Sequence, residues 1–175
     1  MNRDNSLDSD LGDFDTWDDE DSQKNRYLTF RVGAEGYGLE IRHVTEIIGI
    51  QQITEVPDMP NFVMGMINLR GTVIPIIDVR LRFGLEPREY DGRTCIIVTI
   101  LNETIVGLIV DEVSEVADIP EDSVEPPPRV SRGANSRFIQ GLGKMGNEVK
   151  IILDVRKLLY DEDPDKAGQG EQENG

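Results

Sequence analysis

The stretch that decides the fold occurs nearly twice in the chain, first as Gly65-Met66-Ile67-Asn68-Leu69-Arg70-Gly71-Thr72-Val73-Ile74-Pro75-Ile76-Ile77-Asp78-Val79-Arg80. The second occurrence begins at Gly141 and keeps Val149, Ile152 and Asp154-Val155-Arg156 at the matching positions. Each occurrence combines a glycine, an apolar strand pattern and an Asp-Val-Arg ending. The chain therefore contains an internal repeat.

The repeat continues towards the N terminus with a slightly shorter spacing between the copies. The matched positions are Val44, Glu46 and Ile47 in the first copy and Val113, Glu115 and Val116 in the second. A repeat of roughly seventy residues is too long for a solenoid unit, so it indicates two copies of one small domain, about 25–88 and 89–160. Below roughly 70 to 80 residues a single core seldom stabilises a fold alone, so we expect the copies to pack together.

The negative charge of the chain is concentrated at its ends. The formal net charge is −16, of which residues 1–22 contribute −8 and residues 161–175 contribute −5, leaving −3 between them. Low hydrophobicity and high charge predict that 1–24 and 161–175 are disordered acidic tails. Without a basic stripe the chain has no means of displacing counterions from a phosphate backbone, so nucleic acid is not an expected partner.

No segment of the sequence predicts export or membrane insertion. The acidic stretch after Met1 lacks an apolar run, and no part of the chain approaches the roughly eighteen apolar residues of a membrane span. Cys95 is the only cysteine, so no internal disulfide forms. These features together predict a cytoplasmic protein without direct membrane insertion.

Alternating apolar residues and frequent turn signals predict an all-β protein of two small five-stranded barrels. The predicted strands cover 27–32, 37–41, 50–56, 66–70, 73–77, 95–101, 105–110 and 113–119. The apolar period changes between 43 and 48, which indicates a bulge or one helical turn. Short helices are predicted at 79–83 and 155–160. Pro75 has no amide hydrogen, so its strand is predicted to lie at an edge or to bulge there.

The equivalent aspartates Asp78 and Asp154 raise the hypothesis of a two-lobed acid protease with paired carboxylates. Each precedes Val-Arg and an apolar helical segment, which favours helix N-caps worth roughly 1 kcal/mol instead. His43 is the only histidine, so a histidine-based metal site or nucleophile lacks its parts. Cys95 has no sequence neighbour that would activate it. We expect no enzymatic activity, no metal and no cofactor.

Two short segments have alternative interpretations. Phe14 and Trp17 are either a docking motif or isolated aromatics in a disordered tail. The prolines of 126–128 are either a polyproline ligand or a stiff connection between strands.

Several motifs in one order resemble the chemotaxis coupling proteins of the CheW family. The resemblance covers about residues 25–160 and rests on the repeated stretch, Tyr37-Gly38-Leu39, Val106-Gly107, Val110-Asp111 and Gly141-Leu142-Gly143. It implies two SH3-like five-stranded barrels packed through a hydrophobic interface, with short helices. It also implies a non-enzymatic adaptor that couples methyl-accepting chemoreceptors to the histidine kinase CheA in membrane-associated receptor arrays. Whether the first strand completes its own barrel or crosses to the other stays open.

The resemblance assigns receptor binding to Val44, Glu46 and Arg70, which would line a groove for the cytoplasmic tips of the receptors. Two structural alternatives apply to the same residues. Val44 and Glu46 would hold a strand bulge together, and Arg70 would be a solvated turn residue.

The resemblance assigns binding of the CheA regulatory domain to Gly65, Val113 and Val116. The alternative role of Gly65 is a turn with positive φ. Val113 and Val116 would alternatively belong to the core, because apolar alternation looks the same in both cases.

Overall fold

The computed structural model describes residues 23–127 and 134–161. Most of the predicted tails, including Phe14 and Trp17, and the middle of the Pro-rich loop lie outside these residues. The strands are β1 (Arg26–Val32), β2 (Glu35–Glu40), β3 (Val44–Gly49), β4 (Val63–Leu69), β5 (Thr72–Asp78), β6 (Cys95–Leu101), β7 (Thr104–Val110), β8 (Glu112–Asp118), β9 (Val124–Glu125), β10 (Ile139–Met145) and β11 (Glu148–Leu153). Two short helices, α1 (Val79–Arg82) and α2 (Val155–Tyr160), follow β5 and β11.

The strands form two sheets. The strand order of one sheet becomes that of the other when each strand is replaced by its equivalent in the repeat. Sheet A runs β8-β1-β2-β11-β10-β9, and sheet B runs β3-β6-β7-β5-β4. Strands β1, β2 and β3 correspond to β6, β7 and β8, while β4 and β5 correspond to β10 and β11. A single bridge between Thr54 and Met66 stands in sheet B where β9 stands in sheet A. The internal repeat is therefore visible as a pseudo-twofold arrangement.

The first two strands of each sequence copy form a hairpin, and this hairpin belongs to the sheet that the other copy builds. Hairpin β1–β2 pairs with β8 and β11, and hairpin β6–β7 pairs with β3 and β5. Sheet B is thus one continuous segment, 44–110, whereas sheet A combines 26–40 with 112–153. The expected division into 25–88 and 89–160 differs from this distribution of strands. Sequence similarity shows which strands are equivalent. It does not show to which barrel a hairpin belongs, because both copies contain equivalent strands with which the hairpin could pair.

Sheet B curves around its own apolar core. The core residues come from four strands of the sheet, with Ile48 of the fifth strand packed against them: Ile67, Ile74, Ile76, Ile96, Val98 and Ile109. A flat sheet cannot bury one face against itself, so these contacts require closure into a barrel. Sheet A encloses a smaller cluster of Tyr27, Ala117, Ile119 and Ile152.

A third and larger core joins the two barrels. Buried residues of both sheets and of both helices contribute to it, and a chain of aromatic contacts runs through it. Phe30, Tyr37, Phe83 and Phe138 follow one another with ring centroids 5.8, 5.3 and 5.8 Å apart. Such offset or tilted pairs stabilise beyond their buried area. The expected hydrophobic interface between two barrels is confirmed.

The equivalent aspartates cap the two helices. The Leu81 amide donates to Asp78 Oδ1 at 3.4 Å, and the Lys157 amide donates to Asp154 Oδ1 at 3.1 Å. Asp78 also accepts a 2.8 Å hydrogen bond from the Tyr90 hydroxyl. These contacts confirm the N-cap interpretation.

The strand predicted at 50–56 is replaced by irregular chain with a single β-bridge to the sheet. Thr54 and Met66 exchange two backbone hydrogen bonds of 2.8 Å, and Ile53 packs against the sheet B core. The reason is topological. The segment after Gly49 must cross from β3 at one edge of sheet B to β4 at the other, so it runs along β4 only briefly.

The prediction that Pro75 lies in an edge strand is wrong, since β5 lies between β4 and β7. Met66 is opposite Pro75 but bonds to Thr54, and the pairing with β7 begins only at Ile76. Pro75 therefore stays in register with β4, but no hydrogen bond to β4 needs its missing amide hydrogen, because the amide and carbonyl of Met66 bond to Thr54. The irregularity of this hairpin lies in β4, between Val63 and Gly65.

Candidate interaction surfaces

Strands β3 and β8 are equivalent in the repeat, and each lies at one edge of its sheet, with β4 and β9 at the opposite edges. Among the described residues β3 pairs only with β6, and β8 pairs only with β1. An edge strand presents unpaired amide and carbonyl groups that another chain can pair with. Strands β3 and β8 therefore each leave one side unpaired, and five of the six predicted site residues lie on or beside these two edges.

The structure brings the predicted receptor residues together at the β3 edge. The Arg70 guanidinium forms an ion pair and a hydrogen bond with Glu46 Oε2. This hydrogen bond raises the pKa of Arg70. Val44 precedes Glu46 across a bulge in β3 and is half-buried against the core between the barrels. We call Val44, Glu46, Ile47 and Arg70 the β3 surface.

The position of Arg70 follows from the hairpin that joins β4 to β5. Arg70 and Gly71 form the two-residue turn, with φ values of 51° and 91°. Positive φ at both turn residues matches the right-handed twist of the flanking strands. The Gly71 amide donates to Asn68 Oδ1 at 2.8 Å, which stabilises the turn. The turn projects Arg70 from one edge of sheet B onto Glu46 at the other.

The region 43–48 contains both features that the sequence left as alternatives. A 3-10 turn at Ile41–His43 leads into β3, and the register of β3 shifts between Val44 and Glu46. The half-buried Val44 and Glu46 flank the exposed Thr45, whose hydroxyl donates to the Val98 carbonyl at 3.1 Å. The bulge therefore positions Glu46 for its contact with Arg70.

On β8, the two predicted kinase residues have different surroundings. Val113 is half-buried, lies opposite Phe30 and packs against the core between the barrels. Val116 is 54% exposed. The Thr29 hydroxyl donates to the Glu115 carbonyl at 2.7 Å and accepts from the Glu115 amide, which holds the register shift between β1 and β8. We call Val113, Glu115 and Val116 the β8 surface.

Gly65 is buried in sheet B and is not brought together with the two β8 valines. Its φ is 142°, and a Cβ atom at this position would lie 2.1 Å from the Thr54 carbonyl oxygen. Its repeat equivalent, Gly141, would place a Cβ atom 3.0 Å from the Glu125 carbonyl oxygen. Glycine is thus needed at Gly65 and favoured at Gly141, because a neighbouring backbone approaches both closely.

Sequence reasoning did not select two further features of the β3 edge. Ile47 is 44% exposed and is the repeat equivalent of Val116, so aligning the two copies gives a signal for it. Glu40 lies beside the turn that connects the two barrels, where His43 Nε2 is 3.3 Å from its carboxylate. Hydrogen bonds from His43, Gln140 and Arg42 outweigh burial and lower the pKa of Glu40 to about 2.

Among the described residues, the two kinds of reactive group to consider are metal-binding clusters and the cysteine thiol. Residues 23–127 and 134–161 contain no group of three His, Cys, Asp or Glu side chains that could hold a metal ion. Burial raises the pKa of the half-buried Cys95 thiol, which leaves little thiolate at neutral pH. No helix in the same part of the chain is long and apolar enough to span a membrane. The fold and its two edges define a double-barrel protein-interaction module.

Comparison with known proteins identifies the family. The CheW-like domain model matches residues 26–163. The chemotaxis protein CheW of Klebsiella aerogenes is 36% identical over 137 residues, which covers 78% of this chain and 82% of the relative. CheW of Treponema pallidum is 33% identical and covers 75% of this chain and 80% of the relative. The crystal structure of the scaffolding protein TtCheW from Thermoanaerobacter tengcongensis matches with a TM-score of 0.72 at 38% identity, over 77% of this chain and 91% of that one.

The chain belongs to the CheW family. It is a chemotaxis adaptor and not an enzyme. The expected fold of two SH3-like barrels with short helices is confirmed by the two sheets and by the match to TtCheW.

Proposed function

We propose that this adaptor couples the cytoplasmic tips of methyl-accepting chemoreceptors to the regulatory domain of the histidine kinase CheA, in cytoplasmic arrays beneath the membrane. The observation that carries the proposal is the presence of two separate free edges, β3 in sheet B and β8 in sheet A. Because the edges belong to different barrels, one chain has room for two different partners at once.

The receptor binds the β3 surface in this proposal. Ile47 offers an exposed aliphatic contact, and the Glu46–Arg70 pair offers both a charged acceptor and charged donors beside it. A receptor tip with apolar side chains flanked by polar ones fits this combination. Val44 contributes through packing, since it is half-buried behind the other three residues.

The kinase regulatory domain binds the β8 surface. Val116 is the exposed aliphatic contact of this edge, and the half-buried Val113 packs against the core between the barrels. Gly65 acts at a distance in this proposal. It permits Thr54 to bridge to Met66 and so fixes the segment after β3, which carries the exposed side chains of Ile50 and Val56.

Signal transfer through such an adaptor needs no covalent step. A receptor contact on one barrel alters packing in the shared core, which also supports the β8 edge through Val113 and Phe30. Individually modest contacts become strong in an array, because tethering several partners raises their effective concentration.

The kinase contact is tested by calorimetric titration of the full chain into the regulatory domain of CheA from the same organism. Val116→Asp is expected to weaken binding by a factor of about ten or more, because it places a charge in an apolar contact. Val149→Asp is the matched control, since Val149 is a 51% exposed valine of the same sheet. Equal binding by Val116→Asp and the unmodified chain would refute the assignment of this surface.

The receptor contact is tested by co-sedimentation of the full chain with membranes that contain the chemoreceptors. Arg70→Ala is expected to reduce the bound fraction by a factor of about five or more and to leave kinase binding unchanged. Arg93→Ala is the control, since Arg93 is exposed on the loop after α1. Loss of kinase binding together with receptor binding would contradict the two-surface arrangement.

A further inference from the structure

We propose that the β8 surface is an acidic docking edge for a partner strand that carries lysine or arginine beside an aliphatic residue. The inference rests on the proposed function, since the partner is the kinase regulatory domain. It adds what the partner's contact strand must contain and how the two proteins find each other.

The unpaired side of β8 indicates that the bound segment is a β-strand. Strand β8 is seven residues long, and β1 is its only neighbour among the described residues. Its most exposed aliphatic side chain is Val116 at 54%. Unpaired backbone groups next to an exposed aliphatic side chain are what a second strand satisfies by adding to the sheet.

The charge around this edge is unlike that of the rest of the folded chain. Residues 112–125 contain six acids and no lysine or arginine, which gives −6. The remainder of 23–160 contains 13 acids and 16 lysines and arginines, which gives +3. The net negative charge of residues 23–160 therefore comes from 112–125, although Asp118, Glu121 and Glu125 form exposed ion pairs with Arg26, Lys24 and Lys144.

Two acids of this strand have no ion pair, although Arg31 of β1 is the cross-strand neighbour of Glu112. Glu112 and Glu115 flank Val113 and Val116, and neither carboxylate has an ion pair among the described residues. Asp118 pairs with Arg26 at 3.2 Å, but the pair is exposed and weak. On the equivalent β3 edge the matching acid, Glu46, is neutralised by Arg70.

The described residues that follow the acidic N-terminal segment lie beside the same edge. The Ile119 amide donates to the Asn25 carbonyl at 2.8 Å, and Lys24 forms an ion pair with Glu121 at 3.3 Å. The −8 of residues 1–22 is thus attached next to the end of β8. Both sources of charge attract a basic partner and steer its approach.

The same charge disfavours an alternative occupant, a second copy of this chain. Like charges directly opposite each other in paired strands destabilise the pair. Two β8 edges from two copies of this chain would place Glu112 and Glu115 against each other or close together. The edge therefore favours a basic strand over self-pairing.

The test measures association and dissociation rates of the full chain with the CheA regulatory domain by stopped flow, at about 50 and about 500 mM salt. The variant Glu112→Gln/Glu115→Gln is expected to associate about fivefold more slowly at the lower salt concentration and to dissociate at nearly the same rate. A full chain with Asp18→Asn, Asp19→Asn, Glu20→Gln and Asp21→Asn is expected to associate about threefold more slowly. Both differences vanish at the higher salt concentration, because ions screen the charges.

Glu89→Gln/Glu103→Gln is the matched control, since both side chains are exposed and lie outside 112–125. Association of the Glu112→Gln/Glu115→Gln variant as fast as this control, or rates independent of salt, would overturn the acidic edge. If the Glu112→Gln/Glu115→Gln variant bound normally but Val116→Asp still weakened binding, the proposed function would stand without this inference. Absence of binding at either salt concentration would overturn both.

Discussion

At the scale of single residues, the close approach of a neighbouring backbone determines which side chain positions 65 and 141 can accept. Gly65 and Gly141 occupy equivalent bulges, and a neighbouring carbonyl leaves no space for a side chain at Gly65 and little space at Gly141. The resemblance assigns Gly65 to kinase binding, and in the structure Gly65 lies beneath Thr54. The sequence marks the glycine as special but does not contain its distance to the Thr54 carbonyl.

Gly65→Ala is expected to lower the free energy of unfolding by about 3 kcal/mol or more, because a Cβ atom would collide with the Thr54 carbonyl. Urea denaturation followed by circular dichroism measures this change. Gly146→Ala is the control, since Gly146 has a φ of 60° but nothing within 4 Å of its added Cβ. The control is expected to cost about 1 kcal/mol, and equal costs for the two variants would argue against the collision.

At the scale of elements, the turn Ile41–His43 carries the chain from sheet A to sheet B. Glu40 holds this crossover, because its carboxylate contacts Arg42 and His43 of the turn and Gln140 of β10. The carboxylate is charged in the folded protein down to about pH 2. The contact ties both sequence copies together at one point.

The Glu40 contact predicts a pH-dependent contribution to stability. Its pKa falls from 4.5 to about 2 on folding, so the stabilisation is complete above pH 4.5 and is lost as the pH falls towards 2. At pH 7, Glu40→Gln is expected to lower the free energy of unfolding by about 1–2 kcal/mol, a value reduced for the partial exposure of the side chain.

Urea titrations at pH 7 and pH 3 measure the difference between Glu40→Gln and the unmodified chain. More than half of the difference should disappear at pH 3, where the unfolded carboxyl is mostly protonated. Glu103→Gln serves as the control in the exposed β6–β7 turn. A difference that stays constant between the two pH values would rule out the charged contact as its source.

At the scale of the whole molecule, Arg82 of α1 lies where the two repeats meet. Its guanidinium donates to the carbonyl of Leu158 at 2.9 Å and also to the carbonyl of Asp161. It lies 4.3 Å from the ring centroid of Phe62 and 4.8 Å from that of Phe138, which are repeat equivalents. Leu158 is the repeat equivalent of Arg82 itself. Two buried arginines at these equivalent positions would repel each other. Arg82 carries the charge in the first copy, and the uncharged Leu158 takes its place in the second.

Arg82→Met is expected to lower the free energy of unfolding by about 2–4 kcal/mol, because it leaves the last carbonyls of α2 without their donor. Arg82→Lys should restore little of the loss, since an ammonium group lacks the planar fork of donors. Thermal unfolding by calorimetry measures both variants. Arg156→Met on the exposed side of α2 is the control, and equal losses for Arg82→Met and Arg156→Met would contradict this role.

Local patterns in the sequence were sufficient for most of the elements. The internal repeat, the hairpin around Gly71, the strand 95–101 and the helix 155–160 all agree with the structure. Each element depends on residues that are near one another in the chain, such as Asp154 and the Lys157 amide. The family followed from the same short motifs, because their order is specific even without coordinates.

Only the tertiary structure decided which hairpin belongs to which barrel, where Gly65 lies and how the two edges differ. The exchange of β1–β2 and β6–β7 between copies depends on pairing between strands far apart in the chain, as between Thr29 of β1 and Glu115 of β8. The charge of β8 is readable in the sequence, but its position at a free edge beside Val116 is not. Local propensity determines elements, whereas long-range packing determines which surfaces remain free.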